Sequence, residues 1–158
     1  MTRGFTLVEL LVTLAIVAIL ATITVPNFRT MIEDNRVTAQ ANDLLGGIAL
    51  ARSEAVKRGE SVSISPAGSG SYASGWCVFT GASCTNSTSI RRGEALKGTV
   101  VAGANASDTI KFDTLGVTSS AADIVITIRP QTCSAGSIRM RTLTVRPMGS
   151  ARVEVTGC

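Results

Sequence analysis

Apolar residues are spread unevenly along this chain. From Phe5 to Val25, 21 residues include a single ionisable side chain, Glu9. A helix of that length rises about 31 Å, enough to cross the hydrocarbon core of a bilayer. Beyond Asn27 the apolar positions narrow to a stripe. Val37, Ala41, Leu44, Ile48, Ala51 and Ala55 recur every three or four residues, with Arg36, Gln40, Asp43, Arg52 and Lys57 between them. That spacing predicts an amphipathic helix running to about Arg58, stopped by Gly59, with a weak point at Gly46-Gly47. With the apolar part, the helix would be roughly 80 Å long.

After Gly59 the period falls to two, and β-rich runs alternate with turn clusters. Strands are predicted near residues 61–65, 76–80, 99–102, 109–113, 124–129, 138–145 and 152–156. Ile124, Ile126 and Ile128 share one face. In 138–145, Arg139 and Arg141 oppose Ile138 and Met140, yet Leu143 and Val145 fall on the arginine side. That pattern calls for a bulge near Thr142 or for burial of both faces beyond it. Val153 and Val155 oppose Arg152 and Glu154. Hairpins with no helical spacing between them predict an α+β fold: a long N-terminal helix, membrane-spanning in its first half, packed on a C-terminal antiparallel β-sheet domain.

The chain has 158 residues, the size of one domain with an appendage, and a net charge of +4. This mild excess is too weak alone to argue for nucleic acid. The four cysteines, Cys77, Cys84, Cys133 and Cys158, all follow the apolar segment, and there is no histidine. That set points to disulfides in an oxidising compartment rather than to zinc. Three pairings are possible. Cys77–Cys84 closes a short loop, which leaves Cys133–Cys158 to tie down the C-terminus.

Candidate chemistry is thin. Histidine-dependent triads are excluded. Asp108, Asp113 and Asp123 lack calcium-loop spacing. The stretch GSGSYASG (68–75) has no following Lys-Ser/Thr and opens no helix, so it reads as a hairpin loop. Asn86-Ser87-Thr88 and Asn105-Ala106-Ser107 are sequons by rule and carry little weight here. Trp76, beside Cys77, reads as core. No catalytic residue, metal site or cofactor is expected. Arg139, Arg141, Arg146 and Arg152 read either as a solvated strand face or as a phosphate-contacting patch for DNA, with no aromatic between them to stack bases.

Glu9 is the feature that asks for an explanation. A secretory signal peptide fits poorly: four residues precede the run, the run is long, and no A-x-A-type site follows. A plain membrane anchor leaves the carboxylate unexplained, because an intramembrane acid is costly without a partner. A cut between Gly4 and Phe5 would create an amine at Phe5. That amine is one turn from Glu9 in the same chain, and the amine of a neighbouring copy, shifted along the helix axis, could meet Glu9 instead, each group relieving the other's desolvation.

The stretch GFTLVEL (Gly4 to Leu10), followed by Pro26, resembles the N-terminal signal of type IV pilins and type II secretion pseudopilins. The resemblance implies cleavage after Gly4 by a prepilin peptidase that also N-methylates Phe5. It implies pairing of Glu9 with the Phe5 amine of an adjacent subunit, and a kink or locally melted stretch at Pro26. LARSEAVKRGESVSIS (Leu50 to Ser65) resembles the helix-to-strand junction of FimT/GspH-type minor pilins and pseudopilins. The implied layout is a leader at 1–4, a transmembrane assembly helix at 5–26, its amphipathic continuation at 27–59, and a periplasmic β-rich head at 60–158.

The implied function is structural, not enzymatic. The first reading is a minor pilin of a type IV pilus tip or priming complex, toward which the disulfides tilt. The alternatives are a GspH-type pseudopilin of type II secretion and a FimT-like DNA-binding minor pilin for DNA uptake. For the last, the C-terminal MGSARVEV (148–155) keeps Gly149 and Arg152 of a Gly-Arg-x-Arg pattern but has Ser150 in place of the first arginine. Implied partners are the prepilin peptidase, other minor and major pilins, and the bacterial inner membrane.

Overall fold

The computed structural model describes residues 4–158 apart from Ser69, Ala104, Ala106 and Ser107, and without the side chains of Ile23, Pro26, Asn27, Val100 and Ala102. The chain forms two compact units, Met1–Asn35 and Arg36–Cys158. Helix α1 (Leu7–Arg58) contributes to both.

In the first unit, from Leu7 to Ala21 and Glu9 apart, α1 is apolar on every side. Leu7, Val8, Leu11, Leu14, Val17, Ile19 and Leu20 are each more than half exposed. The threonines there turn their hydroxyls inward: Thr13 donates to the Leu10 carbonyl (2.8 Å), Thr22 to Ile19 (2.7 Å) and Thr24 to Leu20 (2.9 Å). A hydroxyl satisfied by its own helix needs no water, which suits an apolar surrounding. The helix runs through Pro26, whose side chain lies outside the described residues.

In the second unit the helical stripe is the spine of the core. Val37, Ala41, Leu44, Ile48, Ala51 and Ala55 are at most 1% exposed. Gly59 ends the helix in the left-handed region (φ 67°), donating its N–H to the Ala55 carbonyl at 3.1 Å. The Gly46-Gly47 pair does not break α1. A Cβ at Gly47 would come within 2.8 Å of the Trp76 indole, whereas at Gly46 it would meet nothing within 4 Å. Gly47 is therefore the seat of the tryptophan.

Eight strands follow: β1 (Val62–Pro66), β2 (Trp76–Thr80), β3 (Ser89–Gly93), β4 (Thr99–Ala102), β5 (Ile110–Phe112), β6 (Ile124–Pro130), β7 (Met140–Val145) and β8 (Ala151–Thr156). They form two four-stranded antiparallel sheets, ordered β3-β2-β1-β5 and β4-β6-β7-β8. Val62, Ile64, Trp76, Val78, Ile110 and Phe112 from the first sheet join Ile124, Ile126, Ile128, Leu143 and Val145 from the second and the α1 stripe in one core. Burying a Leu or Ile side chain contributes about 1.5–3 kcal/mol, so the stripe and the two inner faces dominate the head's stability.

β3 was not predicted. Ser89-Ile90-Arg91-Arg92-Gly93 holds one apolar side chain, and its extended state comes from pairing with β2 across a bulge between Val78 and Phe79. β7 resolves the ambiguity at Thr142. Its register with β6 runs unbroken from Ile128↔Arg141 to Ile124↔Val145, and Leu143, Thr144 and Val145 are all buried. Both faces are covered, with no bulge. β7 also starts at Met140 rather than 138, because Ser137 donates back to Ser134 (3.1 Å) in a turn.

Disulfides join Cys77 to Cys84 (Cα–Cα 6.3 Å) and Cys133 to Cys158 (Cα–Cα 5.7 Å). Cys77 lies on the face of β2 turned away from the core, beside Phe79, so that loop shields the outer side of the first sheet. The second bridge holds the chain end beside the β6–β7 connection, helped by the Cys158 N–H to Ser137 carbonyl bond at 2.9 Å.

Candidate functional site

The N-terminal site begins at Gly4 and Phe5, both exposed. A Cβ at Gly4 would meet nothing within 4 Å. The fold therefore does not require glycine there. Helix α1 starts two residues after Phe5, with Thr6 as its cap. The Glu9 N–H donates to the Thr6 hydroxyl at 3.3 Å. Thr6-x-x-Glu9 is the spacing of a capping box, a signal present in the sequence that the family resemblance overshadowed.

The cap does not satisfy the carboxylate. Among the described residues its one hydrogen-bond donor is the Thr6 hydroxyl, at 3.5 Å, the outer limit of a hydrogen bond. Glu9 sits in the first turn, where the helix dipole favours a negative charge. Among the described residues the carboxylate is therefore exposed and poorly paired.

The four arginines singled out as a patch do not share a face. Arg141 lies on the core-facing side of β7, in line with Leu143 and Val145, and donates to the Thr38 hydroxyl of α1 at 3.0 Å. Arg152 pairs across from Thr144 on the opposite side and bridges Glu154 at 3.3 Å. Arg139 donates to the Thr132 carbonyl at 3.2 Å. Arg146 stands exposed in the β7–β8 turn. The six residues of β7 lie between Arg139 and Arg146, a span of about 23 Å over seven residue steps.

The Leu50–Ser65 junction divides into distinct physical roles. Ala51 and Ala55 are core. Arg52 donates through Nε to the Gly116 carbonyl (3.1 Å) and through Nη2 to that of Met148 (3.2 Å), clamping two loops to α1. Glu54 faces Arg58 at 2.6 Å and Lys57 at 3.7 Å. The Arg58 guanidinium beside it holds its carboxyl below the usual range, against the opposing effect of desolvation. Tyr72, in the stretch expected to be a hairpin loop, is buried, its hydroxyl donating toward the carbonyls of Ile64 (3.1 Å) and Asp108 (2.9 Å). Burial pushes that phenol's pKa up. Asp113 accepts from the N–H groups of Leu115 and Val117, both at 2.9 Å, and so closes a turn. Among the described residues no acidic or cysteine cluster could hold a metal ion.

Residues 1–25 match the prokaryotic N-terminal methylation motif. Residues 40–149 match the family of type II transport protein GspH. This chain belongs to the GspH family. Its fold is type IV pilin-like. It is similar to the type IV minor pilin FimU of Pseudomonas aeruginosa in two crystal forms. In space group P21 the TM-score is 0.67 at 19% identity, covering 78% of this chain and 92% of that one; in P65 it is 0.63 at 19%, covering 74% and 91%. It is also similar to the minor pseudopilin EpsH of Vibrio cholerae, with a TM-score of 0.53 at 11% identity over 76% of this chain and 97% of that one. No curated protein sequence matches this chain. The GspH family and its pilin-like neighbours are structural subunits, not enzymes, so this chain is a minor pilin or pseudopilin. Among the described residues no helix is long and apolar enough to cross a membrane. The side chain of Ile23, inside the apolar run, lies outside them.

Proposed function

We propose that this chain is a minor pilin, a structural subunit of the tip or priming complex of a type IV pilus. It is made as a prepilin, cut after Gly4 by a prepilin peptidase and methylated on the new Phe5 amine. The apolar half of α1 holds it in the inner membrane, with the head in the periplasm, until it joins other pilins in the fibre. The observation that carries this reading is the first half of α1: a helix apolar on all sides, with one poorly paired carboxylate in its first turn. Such a surface is covered only by lipid or by other helices. An acid there is relieved by an ammonium, and cleavage at Phe5 supplies one on each neighbour.

The family's description favours a second reading, the pseudopilin of a type II secretion system. The two disulfides and the FimU likeness tilt toward the pilus. The DNA-uptake reading draws less support, since its four arginines face different ways. Deleting the gene and assaying twitching and secretion together separates these cases. Lost twitching with normal secretion is expected. Lost secretion with normal twitching would replace the pilus reading by the secretion one, and no change in either would overturn both.

A further inference from the structure

Beside β3 the head carries a groove of about 690 Å³, between α1 and the segment that follows β3. Four cations line it, Arg36, Arg91, Arg92 and Lys97, against two carboxylates, Asp43 and Glu94. Asp43 is already engaged: Arg91 donates to it at 3.0 Å, and the same guanidinium stands 5.2 Å from the centre of the Trp76 ring. Arg92 donates to the Asn86 side chain at 3.2 Å. Among the described residues Arg36 and the Lys97 ammonium make no ion pair. The Gln40 amide fixes the rim by donating to the Lys97 carbonyl at 3.2 Å.

A reporter beneath the groove and an open strand edge beside it bear on what the groove holds. Gly93, which lines the groove, lies directly on the indole, so that a Cβ there would overlap Nε1. That N–H is fully buried and has no acceptor among the described residues, a costly state for a donor. β3 is also an edge of its sheet, hydrogen-bonded on one side alone. Its free side offers backbone groups to an added strand.

We propose that this groove docks an extended acidic peptide segment of a neighbouring fibre subunit. Its carboxylates meet Arg36, Arg92 and Lys97, and its backbone adds to β3. Nucleic acid fits less well. Asp43 and Glu94 interrupt the positive surface, which suits carboxylates spaced along a peptide and repels an unbroken phosphate chain. No aromatic side chain lines the groove to stack a base. The source of the segment rests on the fibre-subunit reading; the site itself does not.

Trp76 is the chain's one tryptophan, so its indole N–H gives a single resonance in protein labelled with 15N-tryptophan. The full-length chain in detergent micelles is titrated with a peptide of six Glu-Thr repeats and, separately, with a single-stranded oligonucleotide of equal charge. The peptide should move the resonance saturably. Arg36→Ala combined with Lys97→Ala should weaken it about tenfold, and about 0.3 M salt should weaken it further. Arg146→Ala, in the distant β7–β8 turn, should leave it unchanged. No movement with the peptide, equal movement in the double variant, or tighter response to the oligonucleotide would each overturn the proposal. The titration needs no fibre, so Glu9→Ala should leave it intact, and its failure would not touch the assembly reading.

Discussion

Both halves of α1 are rich in Leu, Ile, Val and Ala, but those residues have opposite fates. From Phe5 to Ile32 the large apolar side chains among the described residues are exposed, whichever way they point; from Val37 to Ala55 the stripe residues are sealed. The second half has one apolar side and finds its cover within the same chain. The first half has apolar surface all round and no such cover in its own unit. A uniform apolar cylinder sets no axial position against its neighbours. A single charge does, which is the best-attested use of a buried ionic group. In the assembly proposed above, Glu9 would give register to the half that has none, while shape gives it to the other.

Matched substitutions should separate the halves most sharply. Ile48→Asp puts an unpaired charge in the core and should unfold the head, at a cost of at least about 4 kcal/mol. Leu14→Asp should leave the head's thermal unfolding unchanged, followed by near-ultraviolet dichroism of Trp76, yet release the protein from membranes. Removing a disulfide should cost about 2–4 kcal/mol. Cys133–Cys158 spans 25 residues and Cys77–Cys84 spans 7. On loop entropy its loss should therefore cost about 1 kcal/mol more, read from urea midpoints.

Adjacent glycines give a finer test. Gly47→Ala should destabilise the head by about 1–3 kcal/mol by pushing on Trp76. Gly46→Ala, into open space, should stabilise it by about 0.5–1 kcal/mol. Equal effects would refute the seating of the indole. The smallest effect is electrostatic. The carboxyl of Glu54 is held below its ordinary value of 4.5, chiefly by Arg58. That contribution is present above the ordinary value and disappears as pH falls through the folded one. Glu54→Gln should therefore flatten a shallow acid-side loss in an unfolding-midpoint series.

Much of this architecture was legible because it is periodic. The stripe from Val37 to Ala55 and the alternation of Ile124, Ile126 and Ile128 state which face is inward, and the structure buries those faces. What escaped depends on residues distant in the chain. β3 is a strand because Trp76 and Val78 lie opposite Gly93 and Arg91. Gly47 looked like a flaw because its reason, the indole of Trp76, comes from another element. Arg52 looked like a polar spacer, yet the carbonyls it clamps lie 64 and 96 residues away. The cations of the β3 groove likewise come together only through the fold. Glu9 was legible for the reverse reason: one charge in an apolar run stands out without any structure.

The most direct test is incorporation of Glu9→Ala into fibres, measured beside its membrane insertion and its processing after Gly4. The account predicts normal insertion, a mature N-terminus at Phe5, and strongly reduced incorporation. Incorporation equal to that of the unaltered chain would contradict it.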